Sequence, residues 1–132
     1  MPELTYNALT QMQKAVCGDI VFTVTPATLT TSATSAARTR VVNIVLASAD
    51  GVIHEWFNKA ITSGVSIAET STAGTATIAS TTLTFVNGSA SVTISLNAAA
   101  WVAAETDTLT VAQATILGYT VAAKTSVETF GA

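Results

Sequence analysis

Thr82-Leu-Thr-Phe-Val-Asn-Gly-Ser-Ala-Ser-Val-Thr-Ile-Ser-Leu96 is the stretch that decides the fold class of this chain. Two arms rich in β-branched residues flank Asn87-Gly88, the dipeptide best suited to the positive φ angles of a tight hairpin turn. Leu83 and Phe85 alternate with Thr on the first arm; Ala90, Val92, Ile94 and Leu96 alternate with Ser and Thr on the second. A period of two sets one face against a core and the other in water. The expected class is all-β.

The same alternation extends outward in both directions. Towards the N-terminus, Ile20, Phe22 and Val24 alternate up to Pro26, which marks an edge or the end of a pairing. A Thr/Ser/Ala-rich passage from Ala27 to Thr39 reads as an edge segment and loop. Arg40 to Ala47 reads as a strand with Val42, Ile44 and Leu46 on one face, closed by Ala49-Asp50-Gly51. Val52 to Asn58 is expected as the next strand, then Val65-Ser-Ile67 after Gly64, a turn over Thr70 to Gly74, and a short strand over Thr75 to Ala79. Beyond the hairpin, Asn97 to Ala104 is expected to form a helical turn around Trp101 at a corner between sheets. Thr106 to Ala114 and Gly118 to Phe130 complete the set. About seven to nine short strands with such turn spacing predict an immunoglobulin-like β-sandwich. Trp56, Phe85 and Trp101 are its expected core anchors, Trp56 as the buried tryptophan of the third strand.

Residues Leu4 to Val16 follow another rule. Leu4, Ala8, Leu9, Met12, Ala15 and Val16 fall near helical spacing, with Gln11, Gln13 and Lys14 on the other side and Gly18 as a stop. Residues 1–18 are therefore read as a short helical docking arm and 19–132 as the sandwich. Leu4, Tyr6, Leu9, Met12 and Val16 are the residues assigned to docking a partner.

Composition narrows the function by exclusion. Only 10% of the 132 residues are charged, against roughly 25% in an ordinary soluble domain. The five basic residues are scattered, only Arg38-Thr-Arg40 lying close together, and the formal net charge is −3. Nucleic-acid binding needs a basic patch, and none is present. The longest apolar run, Val41 to Ala49, is broken by Asn43 and Ser48 and is too short to cross a bilayer. The first residues carry neither a basic segment nor an apolar run of signal-peptide kind, so folding in a reducing cytosol is the expectation. The one cysteine, Cys17, forms no internal disulfide and is read as a small buried apolar residue.

Catalytic and metal chemistry find little to work with. His54 is the single histidine and is read as a strand residue packing beside Trp56. With one His and one Cys, the usual zinc sites are excluded. Asp50, Glu69, Glu105 and Asp107 lack the closely spaced pattern of a calcium loop and are read as solvated turn residues. Asn87-Gly-Ser89 matches a glycosylation sequon, which the hairpin turn already explains. No catalytic, cofactor-binding or metal-binding residue is assigned, and an enzyme is not expected.

Three blocks carry a family resemblance: Phe22-Thr-Val-Thr-Pro26, then Val45-Leu-Ala-Ser-Ala-Asp-Gly51, and later Ala100-Trp-Val-Ala-Ala-Glu-Thr-Asp-Thr-Leu-Thr-Val111. Their order resembles bacterial Ig-like modules, found in surface adhesins and in structural proteins of tailed phages. His54-Glu-Trp-Phe-Asn58 together with Ser71-Thr-Ala-Gly-Thr-Ala-Thr-Ile-Ala79 resembles small Ig-like virion proteins of tailed bacteriophages. The resemblance covers roughly residues 20–130 at the level of fold. It implies a head-decoration (cement) protein, assembled in host cytoplasm and seated on the outer surface of the major capsid protein shell. Such proteins often bind at symmetry axes as trimers, which makes the major capsid protein and copies of the chain itself the implied partners. The alternatives are a tail-tube or baseplate accessory, and a carbohydrate-binding or adhesin-type surface module. The resemblance transfers no individual binding residues.

Overall fold

The computed structural model describes residues 6–33 and 36–131. One helix, α1 (Tyr6–Val16), precedes twelve described strands. These are β1 (Val21–Thr25), β2 (Thr28–Ser32), β3 (Arg38–Ala47), β4 (Lys59–Ile61), β5 (Val65–Glu69), β6 (Ala76–Ile78), β7 (Leu83–Phe85), β8 (Ser89–Leu96), β9 (Thr106–Val111), β10 (Ala114–Ile116), β11 (Tyr119–Val121) and β12 (Lys124–Gly131).

Two four-stranded sheets, β1-β3-β8-β6 and β2-β12-β9-β5, form an all-β sandwich. That order is the two-sheet arrangement of an immunoglobulin-type domain, one sheet of four strands facing the sheet of its last strands. The leading segment changes sheets at Pro26: β1 pairs antiparallel with β3, while β2 runs parallel to β12, from Thr28↔Val127 to Ser32↔Gly131. The eight strands of these sheets lie within the expected number. Two small ribbons, β4-β7 and β10-β11, add four more.

Alternation of side chains builds the interior. Along β8 every second residue is buried, and β3 buries Arg40, Val42, Ile44 and Leu46 in the same parity. Phe22 and Phe85 stack with ring centroids 5.8 Å apart, and Phe57 leans on Phe85 at 5.1 Å. At the other end Trp101 stacks on Phe130 at 4.7 Å. Gly74 passes beneath that indole so closely that a Cβ there would sit 2.2 Å from Trp101 Cε2. Phe85 and Trp101 are buried.

Five expectations need correction. The Asn87-Gly88 turn is present, with φ of 51° and 77° and reciprocal Val86–Ser89 backbone bonds of 2.9 and 3.1 Å. Its arms then part. β8 is central, bonded on one side to β3 and on the other to β6, so β7 has no free edge to join and pairs with β4 instead. Val52 to Asn58 is not a strand but a loop with a single bridge, Ile53↔Ala47. A turn at Glu55-Trp56 lets both His54 and Phe57 point inward, which strict alternation would forbid. Trp56 consequently sits at that turn, half-buried against the rim of the core rather than within it. Asn97 to Ala104 crosses between the sheets without a helical turn, and the final segment is divided at Ala122-Ala123 into β11 and β12, the turn at Leu117-Gly118 joining β10 to β11.

Candidate functional site

α1 ends in a Gly18 that adopts φ of +79°. Gly18 N–H donates to the Ala15 carbonyl at 3.0 Å and Asp19 N–H to Lys14 at 2.9 Å, the paired bonds of a Schellman stop. Lys14 in the last turn suits the negative end of the helix dipole and forms an ion pair with Asp50. The Tyr119 hydroxyl of β11 donates to the Val16 carbonyl, which the helix itself leaves unsatisfied.

The helix rests on the loop between β3 and β4. Ala15 is fully buried, its small side chain letting the helix come close, and Gln11 is buried one turn earlier. Gln11 Oε1 accepts from the Glu55 backbone N–H at 3.0 Å. Asp19 ties the exit of the helix twice, accepting from Ala49 N–H at 2.8 Å through its carboxylate and from His54 Nε2 at 2.9 Å through its carbonyl. His54 Nδ1 in turn accepts the Trp56 indole N–H at 3.1 Å. One ring nitrogen donating and the other accepting defines a neutral imidazole, so His54 serves as a structural bridge. It lies beside Trp56 as expected, though in a loop rather than a strand.

This docking turns the helix over relative to its composition. The small and polar face, Gln11 with Ala15, points in. Leu9, Met12 and Val16 point out, 45%, 40% and 64% exposed. Together with Gln13 and Cys17 they line a shallow groove of about 320 Å³ that has no charged side chain among the described residues. Leu117 and Tyr119 on the β10-β11 ribbon, which abuts the end of the helix, are exposed as well. Of the residues assigned to docking, Leu9, Met12 and Val16 therefore share one outward face. Tyr6 contributes its backbone to α1, and Leu4 lies outside the described residues. Cys17 is exposed on this face rather than buried.

A second group of polar residues sits inside the sandwich. Arg40 of β3 reaches across to β9 and β12: Nε and Nη2 donate to Asp107 Oδ1 at 2.9 and 2.6 Å, and Nη1 donates to Ser126 Oγ at 2.9 Å. Arg38 Nη2 donates to Glu128 Oε1 at 2.6 Å, with its guanidinium 5.2 Å from the Phe130 ring centre. Asp107 and Glu128 are both fully buried, so Asp107 is not the solvated turn residue its neighbours suggest. The signal lay in parity. Arg38 and Arg40 continue the inward series of Val42, Ile44 and Leu46; Asp107 precedes Leu109 and Val111; Glu128 precedes Phe130. Glu69, Glu105 and Asp50 stay at the surface or rim, Glu105 Oε2 accepting from Val102 N–H at 3.2 Å.

Among the described residues no three His, Cys, Asp or Glu side chains gather as metal ligands, and no helix is long and apolar enough to cross a membrane. No family model matches the chain, and no curated protein matches it.

Proposed function

We propose that this chain is a structural virion protein of a tailed bacteriophage, a head-decoration protein that docks on the outer surface of the major capsid protein shell through the exposed face of α1. The observation that carries the docking is the orientation of α1. A free monomer gains by burying Leu9, Met12 and Val16 and solvating Gln11, yet the helix is tethered the other way by Gln11, Lys14, Asp19 and Tyr119. A rigid apolar stripe at i, i+3 and i+7 is the form a helix takes when it enters a partner's groove. The resemblance to Ig-like virion proteins supplies the identity of that partner.

The size of the face argues for a repeating partner. A standard interface uses roughly 20–30 residues a side, and the groove has five among the described residues. A single contact of this size is weak. On a shell, copies joined to one another engage many equivalent sites, and avidity makes up the difference. The role is then mechanical: binding that favours the assembled shell stabilises it by linkage.

The test is co-sedimentation of purified protein with mature, expanded capsids that lack it, beside tail tubes and a glycan array. Capsid binding that changes little over a moderate salt series is expected, since the described residues lining the groove are uncharged. Binding to tail tubes alone, or to glycans without capsids, would replace this reading with an accessory or carbohydrate-binding one.

A further inference from the structure

We propose that Asp107 and Glu128 hold a single proton between them inside the sandwich, making this pair a proton-binding site that tightens the fold in mild acid. The pair is forced together by the sheet. Asp107 and Glu128 are directly opposed in the β9-β12 register, and directly opposed residues share a face with their Cβ atoms about 5 Å apart. Both side chains are fully buried on that face.

Counting donors shows where the proton belongs. Glu128 receives one hydrogen bond on each oxygen, from Arg38 Nη2 at 2.6 Å and from Thr31 Oγ1 at 3.2 Å. Arg40 spends both of its bonds to Asp107 on Oδ1. Asp107 Oδ2 is buried and has no donor among the described residues. Two ionised carboxylates have no hydrogen to share, and leaving a charged oxygen unpaired in the interior is costly. A proton on Oδ2 removes the charge and supplies the missing donor, aimed at Glu128. The remaining charges around Asp107 are Arg40 and Arg38 from β3, and Glu69, half-buried and opposite Asp107 on β5.

The titration behaviour follows. Burial, and next the hydrogen bond with Glu128, push the Asp107 carboxyl up to about 6 against the pull of Arg40. Burial acts to raise Glu128 too, but its hydrogen bonds with Asp107 and Arg38 outweigh burial and hold it below its ordinary value. A folded-state value raised above the unfolded one contributes stability that is complete below the ordinary aspartate range and is lost as pH rises through about 6. Glu128 acts in the opposite sense, its contribution being lost only in stronger acid.

Asp107→Asn isolates this effect, because the amide keeps an oxygen for Arg40 and offers Glu128 a permanent N–H donor. Every other titratable group is the same in both proteins, so its contribution cancels in the difference. In thermal unfolding at about pH 5 the variant and the parent are expected to melt together. At about pH 7.5 the variant is expected to melt several degrees higher. A difference in melting temperature that is the same at both pH values overturns the proposal. Side-chain carboxyl NMR of the unaltered protein gives an independent reading. A carboxyl of Asp107 that titrates well above the ordinary aspartate range supports the shared proton, and one that titrates within or below it overturns it.

Discussion

The Tyr119 ring fills the space beside Gly18 in which any other residue would place its side chain. A Cβ built on Gly18 lies 2.8 Å from Tyr119 Cε1, while the hydroxyl of the same tyrosine caps the Val16 carbonyl. The two contacts couple the end of α1 to the β10-β11 ribbon and hold the outward face of the helix in place.

Gly18→Ala is therefore expected to be harmful for two reasons, the left-handed backbone and the lost fit to Tyr119. The backbone alone costs about 1–2 kcal/mol. Urea unfolding measures the loss, and amide exchange locates it: exchange within α1 is expected to speed up while β3, β8 and β9 stay protected. Unchanged exchange in the helix would mean that Tyr119 does not hold it.

Arg40 carries the largest electrostatic burden. Arg40→Met leaves Asp107 and Glu128 buried without the guanidinium that faces them, and breaking a buried pair in this way costs about 3–5 kcal/mol. Replacing Arg40, Asp107 and Glu128 together by apolar residues of similar volume is expected to recover most of that loss. Chemical denaturation of the single and triple variants checks both statements. A single variant within about 1 kcal/mol of the parent would contradict them.

Phe85 and Trp56 separate the core from its rim. Phe85 is 1% exposed and touches both Phe22 and Phe57, so Phe85→Ala is expected to cost about 3–5 kcal/mol. Trp56 is half-buried at a turn, and Trp56→Ala is expected to cost clearly less. Trp56→Phe removes the indole donor to His54 and is expected to cost about 1 kcal/mol. Equal losses for the two alanine variants would place Trp56 back in the core.

The residues differ in how much of this they announce. Alternation along β1, β3, β8 and β9 was legible because a period of two has one physical meaning on a half-buried sheet. The partner of each strand was less so: β7 leaves the hairpin because β8 is already paired on both edges, a fact about distant segments. The loop holding His54, Trp56 and Phe57 broke parity where a turn intervened. On α1, apolar spacing identified the helix, and Leu9, Met12 and Val16 do share a face. Which face turns inward was set by contacts from Glu55, Asp50 and Tyr119, all remote in sequence. The buried charges were legible in principle from parity, and their composition disguised them as surface residues.

The most direct test of α1 as the docking face uses Cys17, the one cysteine in the chain, exposed in the groove with Met12 and Val16. The measurement is the rate of maleimide labelling of Cys17 in free protein and in protein bound at saturation to capsids. Rapid labelling of the free protein and strong protection in the bound state is the expected result. Labelling at the same rate in both states would contradict the central claim, because the outward face of α1 would then remain open to solvent on the assembled shell.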